Sequence, residues 1–353
     1  MSSSSFFQRL LPAPVGGGFA MDDYWIWCPS VMRDDSGLYH MFASRWPRGI
    51  TFSPHWLTNS EIVRATSSTP EGPYHFQEVV LPARGPHHWD GRMTHNPSIR
   101  RAADGTWLLF YTGSTYDGDT PTPEAPIEAV DPGELSEMPK VDGRMAQAHR
   151  NQKIGLATAP SPNGPWKRSD HPILEPRPNK WDALLTTNPA PCVGDDGRVL
   201  LIYKSVRFRG DSMFLGVAQA QSYAGPYERL QDKPILRFGN KEDVEDPYVW
   251  YQDNVFHLIM KDMEGGIGGE RRGGIKATSL DGMRWTLDAD PKAYSRHIKW
   301  SDGRETFHDF FERTSLLLDE RGQPTHLFAA TATGSAHVGS LNRSWNMVIP
   351  LRH

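Results

Sequence analysis

An all-β fold, a single five-bladed β-propeller with four-stranded blades, is what the sequence predicts, and three observations predict it. Gly and Pro are abundant, 32 and 29 of 353 residues, and spread along the chain, which argues against long helices. Aromatic residues make up 11% of the chain, with 12 Trp, too many rings for a disordered polymer. Above all, one pattern recurs five times, and repetition at this scale marks a radial array.

The recurring units begin near Trp27, His95, Thr187, Glu245 and Glu312. In the first three, Pro29, Pro97 and Pro189 are followed by Gly37, Gly105 and Gly197 inside Asp-rich turns, and then by apolar or aromatic runs. This reads as strand, hairpin, strand. The fourth unit keeps Pro247 and turns at Asp253-Asn254; the fifth has Thr314 in place of Pro but keeps Gly322. A second pattern follows the first four units, starting at Ile62, Ile154, Leu215 and Gly274: a short run of small and branched residues, a Gly turn, then an aromatic residue. Each unit therefore holds about four strands. The last apolar stretch, ending at Leu351, is expected to pair with N-terminal residues and close the ring, removing free sheet edges. One long irregular segment, 114–152, is rich in Pro and acids and is expected to form a rim or lid. Residues 1–20 read as a flexible leader, and 21–353 as a single catalytic propeller domain.

Charge and hydropathy exclude some partners. The net charge is −4 without a basic tail, so no nucleic-acid partner is expected. Mean hydropathy is −0.56 and no apolar run approaches the ~20 residues that cross a bilayer, so no membrane partner is expected either. The N-terminal stretch lacks a signal-peptide pattern, which points to a cytoplasmic location unless such a peptide has been trimmed. Cys28 and Cys192 cannot make a disulfide framework and are read as reduced, buried thiols.

A repeat needs only turn chemistry at the start of its inner strands, yet the residues before each repeat Pro are dissimilar and chemically potent: Trp27-Cys28, His95-Asn96, Thr187-Asn188, Glu245-Asp246 and, in the fifth unit, Glu312-Arg313. Broken symmetry on a symmetric scaffold marks a candidate site. Seven residues before the repeat Pro stand Asp22, Asp90 and Asp182, with Asn240 in the fourth unit. These are either turn carboxylates repeated for structure or carboxylates that reach the channel mouth. Trp89, Trp25 and Trp27 are candidate stacking platforms. Arg45, Lys204 and Lys261 end the second strands; either they face solvent, or with Arg92 and Arg313 they form a cationic ring suited to an acidic or sulfated sugar.

The strand-start prolines, the Asp-Gly hairpins, the Leu-Phe-Tyr second strand and the Gly-Pro-Tyr/Trp outer turns together resemble the five-bladed propeller glycoside hydrolases, the arabinanase, fructosidase and levansucrase superfamily that includes families 43, 32 and 117. The resemblance runs from Asp22 to Leu351. It implies an oligosaccharide substrate, no cofactor, and carboxylate acid/base catalysis in a pocket at the axis, with exo-acting cleavage of a terminal sugar. By that resemblance Glu245 matches the general acid, while Cys28 and Asn188 replace the aspartates of blades one and three. Either a neighbouring carboxylate, Asp22, Asp23 or Asp90, then takes the base role, or the chemistry is different. Glu312 and Asp246 are expected to press on Glu245 by like charge, and Asn96, Asp182 and Asn188 to contact sugar. His95 is open to three roles, a sugar ligand, an acid in a variant mechanism or a ligand of an axial metal, and because a lone His gives little metal specificity no metal is assigned. Two other readings follow from the missing aspartates: a non-catalytic glycan-binding propeller, and a polysaccharide lyase using His95.

Overall fold

The computed structural model describes residues 5–125, 143–236, 243–334 and 341–352. Five antiparallel sheets form the blades. Blade one comprises β1 (Tyr24–Arg33), β2 (Tyr39–Pro47), β3 (Glu61–Ser67) and β4 (His75–Leu81), with the short helix α1 (Phe52–Asn59) between β2 and β3. Blade two comprises β5 (Met93–Arg101), β6 (Trp107–Ser114), β7 (Lys153–Ala159) and β8 (Lys167–Arg168), with α2 (Gly143–Arg150) between β6 and β7. Blade three is β9 (Thr187–Val193), β10 (Val199–Ser205), β11 (Phe214–Ala220) and β12 (Glu228–Arg229); blade four is β13 (Val244–Gln252), β14 (Val255–Asp262), β15 (Gly273–Ser279) and β16 (Thr286–Tyr294). A separate hairpin, β17 (His297–Lys299) with β18 (Glu305–Phe307), precedes blade five, which has three strands: β19 (Phe310–Leu318), β20 (Pro324–Gly334) and β21 (Leu341–Pro350).

The fourth strand of blade five is reduced to a bridge. Phe19 and Asn346 exchange backbone hydrogen bonds of 2.8 and 2.9 Å, and Leu11 N donates to Pro350 O at 2.8 Å. Ring closure therefore follows the expected route, while the N-terminal stretch departs from a flexible leader. Phe6, Ala13 and Phe19 are buried, and their apolar surface holds residues 6–19 against blades four and five and the outer edge of blade one.

The core is divided among the five seams between blades. Phe42 and Ile62 of blade one meet Ile99, Leu109 and Tyr111 of blade two. Comparable clusters fill each remaining seam, from Leu108 and Leu201 between blades two and three to Ile26 and Phe328 between five and one. Each sheet thus buries both faces, which is why β6 is buried at every position and its sequence does not alternate. Both cysteines are free and buried.

The 114–152 segment contains a helix that its Pro and acid content concealed. α2 packs on α1 through Met145, Ala148, Leu57 and Tyr116, and Ser114 Oγ donates to Ala148 O at 2.6 Å. Residues 126–142 of that segment and Asn240 lie outside the described residues.

Candidate active site at the propeller axis

Every inner strand carries the same irregularity. Pairing slips between Trp27 and Ser30, His95 and Ser98, Glu245 and Tyr248, and Glu312 and Ser315, and in blade three opposite Asn188. At each slip one residue is left-handed: Cys28 (φ 55), Asn96 (φ 53), Asn188 (φ 53), Asp246 (φ 57) and Arg313 (φ 54). The repeat Pro follows because a residue without an N–H is tolerated where the ladder is interrupted.

The five left-handed side chains join in a closed ring across the blades. Cys28 Sγ donates to Asn96 Oδ1 (3.0 Å), Asn96 Nδ2 to Asn188 Oδ1 (2.7 Å), and Asn188 Nδ2 to Asp246 Oδ1 (3.0 Å). Arg313 Nη1 donates to the same Asp246 oxygen (3.1 Å), and its guanidinium completes the ring by standing close enough to Cys28 for its charge to act on the thiol. All but Arg313 are at most 4% exposed. Burial raises the Cys28 thiol to about 12, so it is a protonated donor rather than a nucleophile.

Beside this ring lies an ionic cluster on blades three to five. Lys261 Nζ, 1% exposed, bonds Glu245 Oε1 (2.5 Å), Glu312 Oε1 (2.8 Å) and Asp246 Oδ2 (3.2 Å). Lys204 Nζ bonds Glu245 Oε2 (2.7 Å). Burial alone would raise the Glu245 carboxyl, but the two lysines outweigh it and hold the group well below the usual carboxylate range. Glu312 moves the other way: burial raises it, Lys261 only partly offsets this, and the neighbouring Asp246 and Glu245 add to the rise. Burial would lower Lys261, yet three carboxylates around it keep it firmly protonated.

His95 Nδ1 pairs with Ser60 Oγ (2.7 Å), and Nε2 lies 3.5 Å from Cys28 Sγ. The ring packs against Trp46 and Trp56, and burial, with the charges of Arg313 and Lys204, keeps it neutral. Trp27 is buried beneath Phe52 and Phe310, with ring centroids 4.9 and 5.9 Å away, and so forms an apolar wall rather than a bare platform. Helix α2 lies beside the mouth: His149 is close enough to Lys204 for the ammonium charge to add to the burial that lowers it. Among the described residues no group of three or more His, Cys, Asp or Glu is arranged to hold a metal ion.

The axis thus brings together Trp27, His95, Asn96, Asn188, Lys204, Glu245, Asp246, Lys261, Glu312 and Arg313. Six other expected site residues lie elsewhere. Asp22 is an exposed turn residue whose contact is through its carbonyl, which accepts from Arg48 Nη1 at 2.7 Å. Asp90, fully buried, takes Arg84 Nε (2.6 Å), Arg168 Nη1 (3.4 Å) and the Tyr111 hydroxyl (2.7 Å). Asp182, equally buried, takes Arg177, Arg229 and the Tyr203 hydroxyl. These aspartates anchor loops within their blades, as the structural reading of the repeat has it. Trp89 is half-buried, stacks on Tyr111 with centroids 5.7 Å apart and lies against Gly113 and Gly155 within its own blade.

Arg45 is one residue out of phase with the lysines. Lys204 pairs with Thr187 and Lys261 with Glu245, whereas Ser44, not Arg45, pairs with Trp27. A one-residue offset turns a strand side chain to the opposite face. Arg45 accordingly lies over Tyr24 and bonds Glu61 at 2.8 Å. Arg92 holds the insertion instead, donating to Gly118 O (2.6 Å) and Thr120 Oγ1 (3.2 Å). Sequence reasoning missed Ser60 and Arg272, the first because its hydroxyl serves a histidine on another blade.

No protein-family model matches the chain, and no curated protein matches it. Solved structures do. A family 117 glycoside hydrolase of the marine bacterium Zobellia galactanivorans superposes with a TM-score of 0.62 at 14% identity, covering 97% of this chain and 89% of that one. The GH43_1 enzyme of Xanthomonas citri gives 0.57 at 14% identity over 98% and 91%. The catalytic domain of a GH62 alpha-L-arabinofuranosidase of Coprinopsis cinerea gives 0.58 at 14% identity over 92% and 90%. The chain is thus similar, over nearly its whole length, to glycoside hydrolases that share its five-bladed propeller fold.

Proposed function

We propose that the protein is a glycoside hydrolase that removes a terminal sugar at a pocket on the propeller axis, with Glu312 as proton donor and Glu245 as the ionised carboxylate. One observation carries the reading: two carboxyls on adjacent inner strands share the Lys261 ammonium, and their surroundings shift them apart, Glu245 down and Glu312 up. Glycoside cleavage needs such a pair, one group to protonate the leaving oxygen and one to act as base or nucleophile. The acid role passes from Glu245 to Glu312 because a carboxylate gripped by two lysines has no proton to give. Their bonds to one nitrogen, 2.5 and 2.8 Å, keep those two oxygens within ~5.3 Å of each other, which supports the retaining geometry of ~5–5.5 Å over the wider inverting one. The axial ring supports an exo-acting pocket, since its hydrogen bonds cross the channel floor.

Glu312→Gln tests this: turnover of a cleavable glycoside is expected to fall ~10²–10⁴-fold with binding retained, as for loss of a general acid. Unchanged turnover overturns the assignment. A second reading, a glycan-binding propeller without catalysis, is favoured by the matching of each of these carboxylates with a cation: Glu245 with Lys204 and Lys261, Asp246 with Arg313 and Lys261, Glu312 with Lys261. Binding of oligosaccharide without hydrolysis by the wild-type protein would establish it.

A further inference from the structure

Among the described residues Arg272, near Phe310, has no carboxylate partner. Arg272 follows the loop after β14, the strand that carries Lys261, and its N–H donates to Asp262 O at 2.7 Å. Its guanidinium crosses to blade five and lies 5.8 Å from the ring centre of Phe310. Phe310 is the aromatic wall that meets Trp27, and it stands two residues before Glu312 on β19.

Around this loop and Phe310, Asp309 acts on Arg296 and makes no ion pair with Arg272, and the other carboxylates are engaged elsewhere. Asp262 accepts from the amides of Gly265, Ile267 and Gly268 at 2.8–2.9 Å. Glu264 faces Arg271, and Glu270 takes Lys292, Ser295 and the Arg296 amide. Among the described residues none forms an ion pair with Arg272, and its Nε is buried without a hydrogen-bond partner. Arg272 and Arg271 both stand close enough to Arg296 for like-charge repulsion. Arg272 holds φ 59 directly before Gly273 and Gly274, a left-handed conformation that favours glycine.

We propose that Arg272 is a specificity residue that receives the anionic substituent, carboxylate or sulfate, of a sugar seated against Phe310 at the channel mouth. A guanidinium fork suits either group, and its partial desolvation strengthens the contact. The proposal rests on the carbohydrate reading above but not on catalysis. It also moves the acidic-sugar expectation from the cations that carboxylates already hold to one that has none.

The test is a glycan array of uronate-terminated, sulfate-terminated and matched neutral oligosaccharides, probed with the wild type and with Arg272→Gln, Arg272→Lys and Arg272→Gly, followed by calorimetric titration. The wild type is expected to prefer one anionic class over its neutral match by about ten- to a hundred-fold, the worth of a charged hydrogen bond. The uronate and sulfate arms identify which. Gln and Gly should erase the preference while neutral binding is kept, and Lys should retain part of it. The Gly variant suits the left-handed backbone, so its loss of preference cannot be laid to misfolding. A wild type without anionic preference, or a Gly variant that keeps it, overturns the proposal. Preference without turnover refutes the hydrolase reading and leaves Arg272 assigned.

Discussion

Glu245 and Glu312 occupy equivalent positions on neighbouring blades, yet their surroundings shift the two carboxyls in opposite directions, Glu245 down and Glu312 up. The consequence is a pH profile. A donor must be protonated, so kcat/KM is expected to fall as pH rises through the Glu312 value, which lies above the ordinary Glu value of ~4.3. The partner must be ionised, and because the lysines hold Glu245 below the usual range the acid limb should lie below ~4.3. Rates measured across about pH 3 to 9 check both limbs, and an alkaline limb at or below the free-glutamate value would contradict the assignment. The same shift makes Glu245 a stabilising group above its unfolded-state value, lost only as pH falls through its depressed folded value. At this scale the sequence revealed which side chains meet: Glu245, Glu312, His95, Lys204 and Lys261 are legible from their places beside the repeat Pro or at the ends of second strands. It did not reveal which way each carboxyl is shifted, because that depends on two ammonium groups brought in by strand pairing. Arg45 was misjudged for a related reason, since bulges and unequal turns shift counting along the chain by one residue from blade to blade.

Blades two and three share an anchoring device. Trp181 stacks on Tyr203, whose hydroxyl donates to Asp182, and Arg229 from β12 closes the set; Trp89, Tyr111, Asp90 and Arg168 do the same in blade two. The stack needs a strand without a side chain beside it. A Cβ added at Gly216 would come within 2.4 Å of Tyr203, and one at Gly155 within 2.6 Å of Trp89. Gly216→Ala is therefore expected to cost ~1–3 kcal/mol by overpacking, read as a lower urea midpoint with unchanged slope. A midpoint equal to wild type would show that the anchor yields freely. The Trp-Asp phrase was visible in the sequence as a repeat, but its purpose was not, because Tyr111 and Tyr203 stand 21 residues further on and become partners only through the fold. Helix α2 was hidden for a different reason: it is eight residues at the end of a segment whose composition signals irregular chain, and its stability comes from packing on α1.

For the molecule as a whole, closure depends on the N-terminal stretch. Phe19 bridges β21, and Phe6 and Ala13 fill the seam of blades four and five. Removing residues 1–20 should uncover this edge and lose the burial of two Phe side chains, each worth ~1.5–3 kcal/mol. A lower melting temperature with association detected by light scattering is expected, and a monomer melting like the full chain would contradict it. The five-blade architecture was the most legible feature of the sequence, since Pro and Gly mark bulges and turns wherever they recur. The tethering of the first residues was not, because PAPVGGG has neither strand pattern nor apolar period.

The hydrogen bonds that join Cys28, Asn96, Asn188, Asp246 and Arg313 have a direction. Cys28 and each Asn donate onward, Asp246 only accepts, and Arg313 only donates. The one charged pair of the ring, Asp246 with Arg313, joins blades four and five. Opening the chain at a different surface loop leaves that neighbourhood intact, whereas exchanging blade four with blade three parts the two and leaves the guanidinium facing a neutral amide. The axis therefore works as a check on assembly, favouring orders of the five similar units that keep this carboxylate beside this cation.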